Sequence, residues 1–370
     1  MSTSGDGPVG LAVVGAGVIS GQYLRNLTAF PDVRVLAVAD LDVERAATVA
    51  GQYGVPVSGD VEAALAVPEV ELVVNLTIPA AHASVALAAL SAGKHVYGEK
   101  PLSLDPATAE KVLAEATARG LRIGNAPDTF LGSGLQSAGR VLRSGAIGAP
   151  VAAAIVFQNP GPESWHPNPE FLFQAGAGPL FDIGPYYLTA LVTLLGPVAR
   201  VAAAARQARA RRVIGSGPKA GTVFDVEVPT HITALIELET GPSTVSTFSF
   251  DSTAPRRTIE ITGTEGTLCL PDPNTFDGPL RMRGPKDEEW RELPVTGTSV
   301  GRGLGVLEMA RSLRGGEPHR ASGALALHVL ETMAAITDSA ERSEFLNVAS
   351  STAVPAELPD DWDPHARTLA

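Results

Sequence analysis

Four groups of residues in this chain have types and spacings that can do chemistry. Glu99-Lys100-Pro101 closes the short apolar run His95–Tyr97. A residue before proline is held extended, so Pro101 helps aim Lys100. An ammonium placed there can hydrogen-bond a reacting oxygen and stabilise developing negative charge. Asp182 and Tyr186 are four residues apart and share a face if their segment is helical. A phenol titrates at about pH 10, so Tyr186 needs a nearby cation such as Lys100 to act as a base. Asp182 can orient that lysine or bind a substrate hydroxyl. Tyr187 takes the role if the register is shifted by one, and a plain amphipathic helix with a buried tyrosine is the bland alternative. Gly161-Pro162-Glu163-Ser164-Trp165-His166-Pro167 joins an aromatic ring to polar groups. There Trp165 and His166 can form a platform for a sugar ring, or simply plug a loop.

The fourth group is Gly15-Ala16-Gly17-Val18-Ile19-Ser20, between the apolar run Val9–Val14 and a helical segment. Glycines at the first two positions allow a tight turn and close approach of a pyrophosphate to free N–H groups at a helix start. Serine stands where the third glycine is usual. At the end of the next apolar run, Asp40 can accept both hydroxyls of an adenosine ribose. It repels a 2′-phosphate, and Leu41 beside it offers no compensating charge. NAD is therefore expected rather than NADP, with Arg45 the residue that argues the other way.

The elements around these residues alternate. Apolar runs at Val9–Val14, Val33–Ala39, Val70–Leu76, His95–Tyr97 and Leu121–Asn125 read as strands. Ser20–Phe30, Val43–Tyr53, Ala81–Ala92 and Pro106–Arg119 read as helices, the last with Asp105 as its cap. This pattern predicts a parallel doubly wound sheet. After Ala126 the character changes. Helices at Gln136–Ser144 and Leu180–Leu195 flank the strand Val151–Gln158. Period-two strands follow at Val198–Arg206, His231–Glu239, Ser243–Phe250, Thr258–Thr262 and Thr267–Leu270, which suggests a largely antiparallel sheet. Helices Leu304–Arg314 and Gly323–Arg342 and a Pro- and Asp-rich tail complete the chain. The expected division is 1–126 and 127–370.

Composition narrows the function. The net charge of −12 over 370 residues argues against nucleic acid as a partner. One cysteine and seven scattered histidines suggest no disulfide framework and no metal site. No apolar stretch approaches a membrane span, and the N-terminus lacks a basic signal region. A soluble cytoplasmic protein is expected.

The glycine turn, Glu99-Lys100-Pro101, Asp182-Ile183-Gly184-Pro185-Tyr186 and the turn Gly263-Thr264-Glu265-Gly266 together resemble the glucose–fructose oxidoreductase / inositol dehydrogenase / rhizopine-catabolism (Gfo/Idh/MocA) family, over nearly the whole chain. The resemblance implies an N-terminal Rossmann dinucleotide-binding domain and a C-terminal α/β domain with an open, mostly antiparallel sheet. It implies that Lys100 is catalytic, that Glu99 lies near the nicotinamide ribose, and that the turn Thr77-Ile78-Pro79 passes along the dinucleotide with His82 close by. A purely structural His82 is the alternative. Many members carry histidine where this chain has Tyr186; tyrosine occurs in the glucose–fructose oxidoreductase and dihydrodiol dehydrogenase branches. The expected function is an NAD(H)-dependent oxidoreductase acting on a sugar, cyclitol or related polyol or keto-sugar, with Lys100, Asp182 and Tyr186 catalytic. An NAD-dependent glycoside hydrolase or lyase, or a non-catalytic dinucleotide-binding regulator, are the competing readings. A homodimer or homotetramer through the C-terminal sheet is expected, because a bare sheet face would leave a large apolar patch.

Overall fold

A computed structural model describes residues 7–370. In chain order the first elements are β1 (Val9–Val14), α1 (Ser20–Leu27), β2 (Val33–Ala39), α2 (Val43–Tyr53), β3 (Val57–Gly59), α3 (Val61–Leu65), β4 (Leu72–Asn75), α4 (His82–Ser91), β5 (His95–Gly98), α5 (Pro106–Ala118) and β6 (Ile123–Asn125). The strands form one parallel sheet in the order β3-β2-β1-β4-β5-β6, the doubly wound order in which ligands bind outside the carboxyl ends at the β1/β4 switch point. β1 and β4 are buried along their whole length, as strands covered by helices on both faces must be. Local chemistry sets the helix starts. Asp42, Asp60 and Asp105 cap α2, α3 and α5 by accepting the N–H of Arg45, Ala63 and Thr108.

The remaining elements are α6 (Ser133–Arg143), β7 (Pro150–Gln158), α7 (Gly178–Leu195), β8 (Val198–Arg206), β9 (Arg211–Val213), β10 (Val223–Asp225), β11 (His231–Leu238), β12 (Ser243–Ser249), β13 (Arg256–Gly263), β14 (Thr267–Cys269), β15 (Leu280–Arg283), β16 (Arg291–Leu293), α8 (Leu304–Gly315), α9 (Gly323–Arg342) and β17 (Leu346–Asn347). A nine-stranded sheet runs β16-β15-β14-β13-β7-β12-β11-β8-β17. It is antiparallel except where β12 runs parallel to β7. Tyr187 of α7 packs edge-on against Phe157 and Phe248, 6.0 Å from each ring, so α7 covers one face of the sheet.

Two compact units result. One takes Met1–Ser133, Thr296–Leu327 and Pro355–Ala370; the other takes Gly134–Val295 and His328–Val354. This differs from a single cut after residue 126, because two later stretches return to the first unit. α8 packs on β6, and Asn125 N–H donates to the Ala321 carbonyl at 2.9 Å beside it. The tail is strapped down. Asp32, a fully buried carboxylate, accepts from Arg311 Nε at 2.8 Å, Thr368 Oγ1 at 2.7 Å and the N–H groups of Thr368 and Leu369. Trp362 lies under the same guanidinium at 4.8 Å. No helix among the described residues is long and apolar enough to cross a membrane.

Candidate functional site

In the first unit, the strand register puts the candidate residues on one edge. Val14 of β1 pairs with Asn75 of β4, Asn75 with Gly98 of β5, and Gly98 with Asn125 of β6. Gly15, Leu76, Glu99 and Ala126 are each the next residue beyond this row. The glycine turn and Glu99-Lys100 therefore leave the same carboxyl edge of one sheet.

Gly15 has φ +103°, and a Cβ there would stand 2.6 Å from the Leu76 carbonyl. Only glycine lets β1 turn so close to β4. A Cβ on Gly17 would meet nothing within 4 Å, so the space beyond that residue is open. Ser20 is buried and donates to the Gly17 carbonyl at 2.7 Å, closing the turn into α1. No side chain caps α1; the Ser20 and Gln22 N–H groups turn back to the Gly17 and Ile19 carbonyls, so the N–H groups of the glycine turn ahead of them are what an anion would meet. Three apolar side chains at the ends of β1, β2 and β4 face water: Val18 at 99%, Leu41 at 98% and Ile78 at 69% exposure. Apolar groups so exposed around a glycine turn fit the faces of an adenosine and a nicotinamide.

Asp40 sits beside this turn, nearly buried. Oδ2 accepts the Ala16 N–H at 2.7 Å; Oδ1 accepts Asp42 N–H at 2.9 Å and Arg45 Nη2 at 2.5 Å. Burial pushes the carboxyl up, but the hydrogen bonds from Arg45, Asp42 and Ala16 outweigh it and hold it below its usual range. Asp40 is thus a fixed carboxylate at the end of β2, the position from which a ribose is held. The residues present fit a dinucleotide.

Lys100 and Glu99 are half-buried. Glu99 is fixed by the Tyr23 hydroxyl at 2.6 Å and the Lys100 N–H at 3.1 Å. Burial and the Glu99 carboxylate both push the Tyr23 phenol far above its ordinary range, so it remains a donor. Asp128 lies wholly buried beneath. Its Oδ2 accepts the N–H groups of Gly303 and Gly305 at the start of α8, at 3.0 and 3.1 Å, and Arg302 Nη1 is 3.6 Å from Oδ1. Burial raises its carboxyl. Tyr23, Asp128 and Arg302 carry no motif and were invisible to sequence reasoning; only the fold brings them beside Glu99. Asn75 had a signal, a polar residue ending a buried apolar strand. It accepts Thr77 Oγ1 at 2.7 Å and donates to the His82 carbonyl at 2.9 Å, shaping the turn Thr77–Pro79. The His82 ring is 3% exposed and faces protein: Nδ1 is 2.6 Å from the Pro101 carbonyl and Nε2 3.0 Å from that of Thr77.

In the second unit, Asp182 and Tyr186 share a face on the first half of α7, the aspartate half-buried and the tyrosine 7% exposed. Tyr187 points the other way into the core, with its hydroxyl buried and without a hydrogen-bond partner. Tyr187, the alternative in the shifted register, thus sits in the core of this unit. Trp165 is 66% exposed and meets the His166 ring edge-on at 5.5 Å; His166 meets Phe171 likewise at 5.5 Å. Beneath this aromatic group Arg212 is buried. It pairs with Glu163 and Asp251 and donates to the Pro160 and Phe250 carbonyls at 3.1 and 2.9 Å. Arg212 thus anchors the loop; an arginine in a charged, Ala-rich stretch gave no hint of burial. Among the described residues no cluster can hold a metal ion.

A parallel sheet in the 3-2-1-4-5-6 order, with this edge, defines the class: a dinucleotide-binding Rossmann domain joined to a second α/β unit. Comparison with known families supplies the rest. Residues 9–126 match the "Oxidoreductase family, NAD-binding Rossmann fold" and residues 135–269 the "GFO/IDH/MocA C-terminal domain". The chain belongs to the Gfo/Idh/MocA oxidoreductase family, and its cofactor is NAD. It is 32% identical to inositol 2-dehydrogenase 3 of Saccharopolyspora erythraea over 43% of this chain and 48% of that protein. In that match the chain spans about half of the relative's length. It is 29% identical to trans-1,2-dihydrobenzene-1,2-diol dehydrogenase of Oryctolagus cuniculus over 70% of this chain and 75% of that protein. An NAD-binding oxidoreductase from Klebsiella pneumoniae shares the fold, with TM-score 0.82 and 23% identity over 93% of this chain and all of that one.

Proposed function

We propose that the protein is an NAD(H)-dependent oxidoreductase whose substrate is a sugar, a cyclitol or a related polyol or keto-sugar. One observation carries the reading: the glycine turn after β1 and Lys100 after β5 leave one aligned row of a single sheet edge. The dinucleotide, when bound, accepts or donates the hydride. Lys100 hydrogen-bonds the reacting oxygen and offsets its developing charge. Tyr186 exchanges the hydroxyl proton, and Asp182 orients the groups around it. Trp165 and His166 offer ring faces and a polar edge to a polyhydroxylated ring. The similar inositol and dihydrodiol dehydrogenases support a substrate with neighbouring hydroxyl groups.

A homo-oligomer through the nine-stranded sheet belongs to the same proposal. On the face away from α7, register aligns Ala202, Leu235, Val245 and Ala154 in one row and Ala204, Thr233, Thr247 and Val156 in the next. Arg206 and His231 on one side and Arg200 and Glu237 on the other border these rows. An uncharged centre with a polar rim is a feature of protein interfaces, and Val245 is 55% exposed on it. The single cysteine, buried and unpaired, fits a reducing compartment such as the cytoplasm.

The test is one assay with NAD, a panel of sugars and cyclitols, and nitrophenyl glycosides, following NADH and aglycone release together. NADH formed in step with a polyol supports a dehydrogenase. Aglycone released without net NADH replaces that reading with transient oxidation in a glycoside hydrolase.

A further inference from the structure

His82 stands at the start of α4 with its ring wholly inside the first unit. Each ring nitrogen faces a backbone carbonyl: Nδ1 that of Pro101 at 2.6 Å, Nε2 that of Thr77 at 3.0 Å. A carbonyl oxygen only accepts. A neutral imidazole has one N–H and one bare nitrogen, so in either tautomer one of these contacts sets lone pair against lone pair. The imidazolium, with a proton on both nitrogens, satisfies both. The two carbonyls belong to different segments. Thr77 is in the turn after β4, and Pro101 follows Lys100 after β5.

We propose that His82 is a positioning residue for Lys100: a doubly donating imidazolium that ties the Thr77 turn to the Lys100–Pro101 segment. Uncharged surroundings disfavour a charged ring, so the two carbonyl oxygens are what would hold both protons in place. The small void beside the ring is lined by Asn75, Ala86, Val96, Gly98, Leu102 and Asn125, among others, none of them charged. On the elements packed against it, the charged groups nearest in sequence are Glu99 and Lys100 beyond β5 and Asp105 before α5. Glu99 is held by Tyr23 and the Lys100 N–H, and Asp105 caps α5 through the Thr108 N–H. The hydrogen bonds given for Glu99 and Asp105 do not involve the ring, whose nitrogens face the two carbonyls. Asn75 reinforces the tie by donating to the His82 carbonyl while accepting from Thr77. Loss of one tie frees the Thr77 turn and the Lys100 backbone to move apart. A misplacement of about 1 Å at a reacting group can cost roughly a hundredfold in rate. This inference rests on Lys100 acting at the reacting oxygen, but its first test does not need turnover.

That test is the ¹⁵N spectrum of imidazole-labelled protein with NADH bound, His82 being assigned by its loss in His82→Phe. The clamp predicts two protonated ring nitrogens at neutral pH; one protonated and one bare nitrogen overturns it, whatever the enzyme's substrate proves to be. The second test is kinetic, on whichever polyol gives turnover. His82→Phe, which fills the space without donors, is expected to lower kcat about 10- to 100-fold with NADH Kd within threefold. His82→Gln, which keeps a donor, is expected to fall between. A kcat for His82→Phe within twofold of wild type, at unchanged Tm, overturns the positioning role. If His82→Phe does not fold, His82→Gln with kcat equal to wild type overturns it in its place.

Discussion

Asp40→Asn isolates one charge at the end of β2. Asparagine keeps the carboxylate's shape and one acceptor oxygen, so the Ala16 N–H, 2.7 Å from Oδ2, need not lose its partner. What disappears is a full negative charge on a side chain that is only 9% exposed. A 2′-phosphate on the ribose held there would lie within about 4–5 Å of it. Near a surface the effective dielectric is between about 20 and 80, which makes the repulsion about 1–4 kcal/mol per unit of phosphate charge. The Arg45 guanidinium at 2.5 Å from Oδ1 offsets part of that in the wild type, so a value of about 2 kcal/mol is the reasoned one. At about 1.4 kcal/mol per factor of ten, the ratio of NADPH to NADH dissociation constants should fall roughly 30-fold in Asp40→Asn. The assay is fluorescence titration of each reduced dinucleotide into both proteins at fixed ionic strength. A ratio unchanged within threefold would refute the assignment of Asp40 to the ribose.

Two glycines give a paired prediction. Gly15→Ala must place a Cβ against the Leu76 carbonyl at positive φ, and is expected to lose both NADH binding and about 1–3 kcal/mol of stability. Gly17→Ala meets no protein atom, so its Tm should stay at wild type while NADH affinity drops; equal loss in both variants would contradict this. Tyr186→Phe should cut kcat about 10²- to 10⁴-fold. Tyr187→Phe removes a buried hydroxyl that has no partner and should leave turnover intact, which steady-state kinetics on both variants will decide. Arg212→Met strands two carboxylates, the buried Glu163 and the half-buried Asp251. It should cost about 3 kcal/mol or more, read as a clear drop in thermal midpoint. Asp32 sets a pH dependence. Burial raises its carboxyl, but hydrogen bonds from Thr368, Leu369 and Arg311 outweigh that and hold it below its usual value. Its stabilisation is therefore full above about pH 4 and lost as pH falls through the folded value. Limited proteolysis should release the C-terminal tail faster as pH drops through that window, and Asp32→Asn should show fast release already at neutral pH.

The fold was legible where periodicity ran long. β1, β2, α2 and α9 lie where their apolar spacing places them, because burial on known faces dictates that spacing. β3 and α3 were missed: they lie in a turn-rich stretch, three and five residues long, and exist through pairing with β2 and a cap from Asp60. The β9–β10 hairpin hides among arginines and glycines, since its stability comes from Arg212 reaching Glu163 and Asp251 far along the chain. The return of 296–327 and 355–370 to the first unit leaves no sequence mark either, being a matter of long-range bonds such as those to Asp32. In the candidate site the motif residues Gly15, Asp40 and Lys100 announce themselves by spacing. Their supports Tyr23 and Asp128 act through distances between elements that a linear pattern does not contain.

The central claim is that Lys100 drives NAD-linked oxidation of a polyol, and the most direct measurement compares wild type with Lys100→Ala. Both proteins are first shown to bind NADH. Each is then given NAD and the sugar and cyclitol panel while NADH absorbance is followed. The account predicts steady NADH formation by wild type on at least one polyol and a rate lower by about two orders of magnitude or more in the variant. Equal rates in the two proteins, or no NADH from a wild type that binds the dinucleotide across the whole panel, would contradict it.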